Sequence, residues 1–250
     1  MAGSFTGSQH TESWEQSTHG SDAGRAGVAR IVRAGGSDVL VLRPPQTTFV
    51  DALSAHDYAV RLAAGIEAAQ SNAKACALVV DLGDQKGGNA WPAMTVLGAL
   101  HTIDNRARVE DRTGERAELV SSELVAMYRD KYGPLPASPL TRFARSGFAV
   151  VMEPETASAG ELEAMLLAGE PGVRTFGRHS YGATTSNMAV PLPDGAMVLL
   201  TVFRFAKDGE PAIHGPLQPD FPADAAETPE QSVQRAATWA AANSPLCRSR

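Results

Sequence analysis

The sequence predicts an α/β fold with a largely parallel, twisted sheet that is flanked by helices. Two short, continuously apolar runs, at 77–80 and 148–152, have the composition of strands that are buried on both faces. Residues 55–69 carry apolar side chains at i, i+3 and i+4 spacing, which predicts an amphipathic helix before the first run. Each apolar run is followed by a turn and a second helical pattern, the order expected for βαβ units with parallel strands.

The other elements are predicted from apolar spacing and from Gly and Pro residues between segments. In chain order they are a short strand at 28–32, a strand at 39–42, a helix carrying Met94, Leu97 and Leu100, a helix that begins near Ser158, a strand at 172–177, a hairpin of 188–190 and 197–205, and a terminal helix at 233–242. Residues 104–147 are interpreted as an insertion over one edge of the core, with a helix at 124–132. The predicted organisation is an N-terminal arm at 1–27 and a single core at 28–250.

Composition limits the classes of function. The chain has 250 residues, enough for one large domain or two small ones, and 43% of them are hydrophobic. Its net charge of −6 and its lack of Lys- and Arg-rich runs argue against a nucleic-acid partner. No histidine pair or cysteine has metal-ligand spacing, so we expect neither a metal nor another cofactor.

The cysteines and the N-terminus predict a compartment. Cys76 begins a core strand and Cys247 lies in a polar tail, so both are interpreted as free thiols of a reducing compartment. Residues 1–27 lack both a basic start and an apolar run, which argues against a signal peptide or a membrane anchor. The sequence therefore predicts a cytoplasmic protein.

The segment Glu155-Thr156-Ala157-Ser158-Ala159-Gly160-Glu161 lies between a predicted strand and a predicted helix. A hydroxyl at Ser158 would lie beside unpaired backbone N–H groups and the positive end of the helix dipole, which suits a nucleophile whose product carries an oxyanion. The alternative interpretation is structural. Thr156 or Ser158 would then be an N-cap, and Glu161 would complete a capping box.

This segment resembles the nucleophile motif of the tail-specific, or C-terminal processing, serine peptidases of family S41. The segment 81–92, Asp-Leu-Gly-Asp-Gln-Lys-Gly-Gly-Asn-Ala-Trp-Pro, is similar to a second block of that family, although Gly83 replaces its usual Arg and Gln85 its usual Asn. Later matches follow in the family's order at 173–177, 193–196 and 218–220. The resemblance is strongest to the branch of the nisin resistance protein, and it implies a core like that of the tail-specific peptidases and the crotonases.

The resemblance also implies a base for the nucleophile. In the tail-specific branch the base is a lysine 25 residues after the serine, but that position is Ala183 here, so a Ser-Lys dyad is ruled out at this site. The nisin-resistance branch uses an N-terminal histidine in a short His-Ser or His-Thr motif. His10, followed by Thr11, fits best and His19 is the second candidate, while a solvated arm with no catalytic histidine is the alternative.

Of the remaining four histidines, His56 and His101 are expected to be structural and His214 to lie in a loop, whereas His179 is expected near the site. By resemblance, the oxyanion donors are the backbone N–H groups of Gly87, Gly88 and Ala159. The alternatives for the two glycines are a simple tight turn or a phosphate-binding loop, although the full phosphate-loop pattern is absent.

The function predicted from these features is a serine hydrolase that acts on a peptide bond of a peptide or protein substrate. Two alternatives stay open. One is a biosynthetic enzyme that trims or cyclises a natural-product peptide, and the other is a non-catalytic homologue that binds a peptide or another ligand. The oligomeric state is not predicted.

Overall fold

The computed structural model of the chain describes residues 28–47, 52–101, 107–120, 130–131, 133–135 and 137–248. Its largest unit is a six-stranded sheet with the strand order β1-β2-β3-β6-β7-β10. The strands of this sheet are β1 (Ala29–Ala34), β2 (Ser37–Leu42), β3 (Ala77–Asp81), β6 (Ala149–Met152), β7 (Arg174–Gly177) and β10 (Phe221–Pro222). Only the β1–β2 pair is antiparallel, and all the other pairs are parallel. The predicted fold class is confirmed.

Alternating side chains of the central strands pack against helices on opposite faces of the sheet. On one face, Leu78, Val80 and Val150 join a core with α1 (Ala52–Gln70), α2 (Trp91–Leu97) and α3 (Ala159–Ala168). On the other face, side chains such as Val79 and Val151 pack against α4 (Pro229–Asn243). Because both faces are covered, these strands are continuously apolar, which is the pattern that identified them in the sequence.

A second sheet has four antiparallel strands in the order β5-β4-β9-β8. Its strands are β4 (Ala107–Asp111), β5 (Arg116–Val120), β8 (Thr185–Pro191) and β9 (Met197–Lys207). The β8–β9 hairpin was predicted, but β4 and β5 were not, because their charged residues hide the strand alternation. The helix expected at 124–132 lies almost entirely outside the described residues.

The β8–β9 hairpin is apolar and yet exposed. Leu199 and Leu200, which are consecutive and so point to opposite faces of the strand, are 55% and 47% exposed. Met188 of the neighbouring strand is 52% exposed. Around Leu199 and Leu200 the hairpin is therefore uncovered on both faces by the described residues, whereas Phe205 and Ala206 at the end of β9 are buried.

The free-thiol interpretation of the cysteines is wrong, because Cys76 and Cys247 form a disulfide. The short helix α5 (Pro245–Arg248) returns the chain from the end of α4 to the start of β3, where the Ser244 hydroxyl donates to the Cys76 carbonyl at 2.6 Å. This contact joins residues far apart in the sequence, and no local pattern indicates it. The pairing removes the cysteine-based argument for a reducing compartment, and the cytoplasmic location stays a prediction.

None of the helices in the described ranges combines the length and the apolar character needed to cross a bilayer.

Candidate active site

Ser158 lies at the junction between β6 and α3, as the sequence predicts. It is the N-cap residue of α3, with φ of 50° and ψ of −108°. A positive φ is unfavourable for a residue with a side chain, and such conformations cluster at functional sites. Among the described residues other than glycine, only Arg145 also has a positive φ.

The turn after β3 packs directly against this serine. Gly87 has a φ of 113°, and a Cβ atom built on it would lie 2.9 Å from the Ser158 Cβ and 3.5 Å from its Oγ. Only glycine therefore allows the main chain to approach the serine so closely. The turn is also anchored on its far side, because the Asn89 N–H donates to the carbonyl of Thr47 at 2.7 Å. The structure thus places the turn at Gly87 directly against Ser158.

Three backbone N–H groups are available around the serine. Within the described residues, the N–H groups of Gly87, Gly88 and Ala159 have no hydrogen-bond acceptor. Ala159 is the first residue of α3, so the positive end of the helix dipole increases the positive potential at its N–H. Free donors of this kind can stabilise negative charge that develops on a carbonyl oxygen.

Glu161 connects Ser158 to the loop after β7. Its fully buried carboxylate accepts the Ser158 N–H through Oε2 at 2.9 Å. Oε1 accepts the Gly182 N–H at 2.7 Å and a short hydrogen bond from the Ser180 hydroxyl. The Ser180 Oγ in turn accepts the Leu217 N–H at 2.8 Å. One carboxylate therefore holds the junction at Ser158 and the 180–184 loop together.

Of the two candidate cap residues, Thr156 and Ser158, only Ser158 caps the helix. The Thr156 hydroxyl is fully buried, donates to the Leu82 carbonyl at 2.9 Å and accepts the Glu153 N–H at 3.0 Å, so it fastens the loop to the strand. Ser158 is the cap residue, and Glu161 supplies its half of the capping box. A cap role and a nucleophile role are compatible, because in the capping box the Ser158 hydroxyl only accepts a hydrogen bond, and its own proton stays available to a base.

The region where the tail-specific lysine would lie is occupied by a small side chain. The loop that carries Ala183 is held beside the serine, because Tyr181 donates its N–H to the Thr156 carbonyl at 2.8 Å, in addition to the Gly182 contact. Ala183 has no group that can accept a proton. A base for Ser158 would therefore have to come from elsewhere in the chain.

His10 and His19, the two predicted bases, lie outside the described residues. Three other histidines make hydrogen bonds away from Ser158. His101 pairs with Glu170 at 3.3 Å, His214 with Arg204 at 3.1 Å, and the Nδ1 atom of His179 with the Ser180 carbonyl at 2.9 Å. His179 thus lies one residue from a partner of Glu161, as expected for a histidine near the site.

Arg43 binds the turn after β3, a contact that the sequence did not indicate. It follows β2, and its guanidinium contacts the buried Asp81 at 2.5 Å and Asp84 at 3.1 Å. Asp81 Oδ1 also accepts the Gly83 N–H at 3.0 Å. A Cβ at Gly83 would lie 3.2 Å from both Asp81 Oδ1 and the Glu153 Cγ, so the space for a larger residue is small. Only the pairing of β2 with β3 brings Arg43 to this turn.

A second buried carboxyl group, that of Glu163, lies two residues after Glu161 on α3. Its side chain is hydrogen-bonded to that of Gln85, in the turn after β3, and both residues are buried. Burial raises the pKa of Glu163 to about 8, and the Gln85 bond opposes this rise. Glutamate in a helix is usually exposed, so the sequence alone did not single it out. No cluster of three metal-binding side chains occurs in the described part of the chain.

Comparison with known proteins is consistent with this geometry. A sequence model of peptidase family S41 matches residues 49–223. The nisin-resistance protein of Lactococcus lactis subsp. lactis is 28% identical over 188 residues, which cover 74% of this chain and 56% of that protein. The chain thus spans little more than half of that relative's length.

Two solved structures share the fold. A lipoprotein from Streptococcus agalactiae superposes with a TM-score of 0.68 at 20% identity, over 92% of this chain and 74% of that one. A photosystem II D1 C-terminal processing protease superposes with a TM-score of 0.53 at 19% identity, over 89% of this chain and 51% of that one. At such identities the likeness concerns the fold.

Proposed function

Because the chain belongs to peptidase family S41, we propose that it is a serine hydrolase that cleaves a peptide bond, with Ser158 as the nucleophile. The observation that carries this proposal is the contact between Gly87 and Ser158 at the start of α3. It brings a serine hydroxyl and free backbone N–H groups to one place, which is the minimum arrangement for acyl transfer.

In the first step of the proposed reaction, the Ser158 Oγ attacks the carbonyl carbon of the scissile bond. A base takes the hydroxyl proton as the new C–O bond forms, and the carbonyl oxygen becomes an oxyanion. The N–H groups of Gly87, Gly88 and Ala159 are the donors proposed for that oxyanion. The Ser158 N–H is excluded from this role, because Glu161 already accepts it.

In the second step, the C–N bond breaks and the protonated base returns its proton to the leaving amine. An acyl-enzyme on Ser158 remains, and a water molecule deprotonated by the same base then hydrolyses it. Free serine is restored together with a new carboxyl group. This scheme needs one base that acts twice, and it needs no cofactor.

We propose His10 as that base and His19 as the second candidate. Two facts support an imidazole from the N-terminal arm. Ala183 cannot act as a base, and His101, His179 and His214 direct their hydrogen bonds to other partners. An imidazole is also suited to accept and return a proton near neutral pH.

The test is covalent labelling of the full chain by a fluorophosphonate, followed by peptide mapping. Wild type is expected to be labelled at Ser158, and Ser158→Ala is expected to lose the label. Exchange of the exposed Ser71 for Ala is the matched control and is expected to leave labelling unchanged. Labelling of Ser158→Ala at the wild-type rate would contradict the proposal.

The same assay identifies the base. His10→Ala and His19→Ala are compared, and the variant that slows labelling by about 10²–10⁴ identifies the general base. If neither variant slows labelling, the N-terminal arm does not supply the base.

The products distinguish hydrolysis from the other reactions. Nisin is the first peptide to test, because of the similarity to the nisin-resistance protein. Hydrolysis yields fragments whose summed mass exceeds that of the substrate by one water, whereas cyclisation releases a product without added water. Peptide binding with no change in mass, unaffected by Ser158→Ala and by removal of both arm histidines, would instead indicate a binding protein.

A further inference from the structure

Two buried polar side chains lie behind the nucleophile and have no part in the reaction steps above. Glu163 belongs to α3 and is 1% exposed, and Gln85 belongs to the turn after β3 and is 3% exposed. Their side chains are hydrogen-bonded to each other. The pair therefore joins the two elements that meet at Ser158.

The pair is incomplete as long as Glu163 is ionised. Within the described structure, Glu163 Oε2 and Gln85 Oε1 both lack a hydrogen-bond partner. The existing bond must therefore run from the Gln85 amide N–H to the other carboxyl oxygen, Glu163 Oε1. Both remaining atoms are acceptors, so neither can satisfy the other. A proton on Glu163 Oε2 would supply the missing donor and satisfy both buried atoms with a single hydrogen bond.

We propose that Glu163 is a positioning residue, whose neutral carboxylic acid forms a reciprocal pair of hydrogen bonds with the Gln85 amide and so holds the Gly87–Gly88 turn against α3. Ionisation of Glu163 removes one of these bonds and loosens the turn. The proposal rests on the proposed function only in that the turn serves Ser158.

Gln85 has the contacts needed to transmit this effect. Its carbonyl accepts the Ala157 N–H at 2.9 Å, and its own N–H donates to the Leu82 carbonyl at 2.9 Å. A Cβ on Gly160 would lie 2.5 Å from the Gln85 carbonyl oxygen, so Gln85 rests directly on the first turn of α3. Because Gly87 is only two residues further along, a displacement of Gln85 changes the position of Gly87 against the serine.

The charge state of Glu163 depends on few neighbours. From α1, Tyr58 faces it, and the pKa of Tyr58 is raised well above 10.0 by burial and by the Glu163 carboxyl. The turn after β3 contributes Gln85, which carries no charge. On α3 itself, the Glu161 carboxylate is engaged by Ser158, Ser180 and Gly182. Since the pKa of Glu163 is raised to about 8, a transition between pH 7 and 9 belongs to Glu163 and not to Tyr58.

The first test measures the rate of fluorophosphonate labelling of Ser158 in the full chain between pH 6 and 10. Wild type is expected to lose rate above pH 8, by about tenfold at one pH unit above the pKa of Glu163. Glu163→Gln is expected to remove this alkaline loss, because two amides can form the same reciprocal pair without a titratable proton. Glu163→Leu is expected to be slow at every pH.

Gln85→Leu tests the role of the hydrogen-bond partner. When Gln85 is replaced by Leu, the labelling rates measured with Glu and with Gln at position 163 are expected no longer to differ. An alkaline loss of rate that persists in Glu163→Gln would overturn the proposal. So would wild-type labelling by a folded Glu163→Leu variant, with folding judged by circular dichroism.

The second test does not depend on catalysis. The carboxyl carbon of Glu163, observed by NMR, is expected to titrate near pH 8, and the Ala157 amide is expected to lose hydrogen-exchange protection over the same range in wild type but not in Glu163→Gln. If wild type is never labelled, the proposed function fails while this test still decides on the Glu163–Gln85 pair. If Glu163 titrates at the pH of an exposed carboxyl group, the positioning role is wrong whatever the activity.

Discussion

The buried carboxylate of Glu161 accepts the backbone N–H of Ser158 at 2.9 Å. This bond fixes a backbone conformation that a serine rarely adopts, with a φ of 50°. The other oxygen of the same carboxylate binds the loop at Ser180 and Gly182. Glu161 therefore determines both where the Ser158 hydroxyl lies and where the 180–184 loop lies relative to that hydroxyl.

Exchange of Glu161 for Gln is expected to destabilise the protein although the two side chains have nearly the same shape. An amide offers one accepting oxygen where the carboxylate offers two, so either the Ser158 or the Gly182 N–H is left facing an NH₂ group. A buried donor without an acceptor costs about 1–3 kcal/mol, which urea unfolding would detect. Labelling of Ser158 is expected to slow as well, because the serine backbone is no longer held.

The matched control for this experiment is Glu155→Gln. The Glu155 carboxylate is 60% exposed and pairs with the equally exposed Lys86, so its exchange is expected to change the free energy of unfolding by less than about 1 kcal/mol. Equal effects of the two exchanges would show that the Glu161 bonds do not contribute to stability.

Gly87→Ala tests the close approach of the turn to the serine. The new methyl group would lie 2.9 Å from the Ser158 Cβ, so the turn or the serine must move. A displacement of this kind is expected to slow labelling by about 10²-fold. The comparison is with Gly36→Ala, because Gly36 also has a positive φ, of 79°, but has no atom within 4 Å of a built Cβ.

Both glycine variants share the backbone penalty, expected to be about 1 kcal/mol or more in the free energy of unfolding. Only Gly87→Ala should change the labelling rate. If the two variants label Ser158 equally fast, the turn is not part of the site.

The sequence predicted those parts of the molecule that are determined by neighbouring residues. The apolar strands around 79 and 150 and the junction at Ser158 are visible as short local patterns, and Gly87-Gly88 marks the turn that meets them. These contacts follow from parallel strands whose ends lie at one edge of a sheet.

Contacts between distant residues were not predictable in this way. Arg43 reaches Asp81 only because β2 pairs with β3, and Cys247 reaches Cys76 only because α4 crosses the sheet. Glu163 was overlooked for a different reason, since a glutamate in a helix is normally solvated and only the packed structure shows that it is buried.

The disulfide predicts a measurable contribution to stability. Cys76 and Cys247 are separated by 171 residues, so the link restricts a long loop of the unfolded chain. Cys247→Ser is expected to lower the free energy of unfolding by about 2–4 kcal/mol in urea. A reductant should lower the stability of wild type by a similar amount and leave that of Cys247→Ser unchanged. Two free thiols in the unreduced, denatured wild type would show that the bond does not form.

The buried Glu163 predicts that stability falls with pH. Its pKa is raised from 4.5 to about 8 in the folded state, so the folded protein holds a proton that the unfolded chain releases. Below pH 4.5 both states are protonated and this group adds no pH dependence. Between 4.5 and 8, the free energy of unfolding falls by about 1.4 kcal/mol for each pH unit, and above 8 the loss is complete.

Urea unfolding at several pH values would measure this slope in wild type and in Glu163→Gln, which has no proton to release. The wild-type stability, relative to that of the variant, is expected to fall from pH 5 to pH 8 and then to become constant. Glu67→Gln, which changes an exposed carboxylate of α1, should keep the wild-type slope. Parallel curves for wild type and Glu163→Gln would mean that Glu163 is already ionised in the folded protein. The unpaired oxygen of Gln85 would then have no donor, and the close packing of its turn on α3 would need another cause.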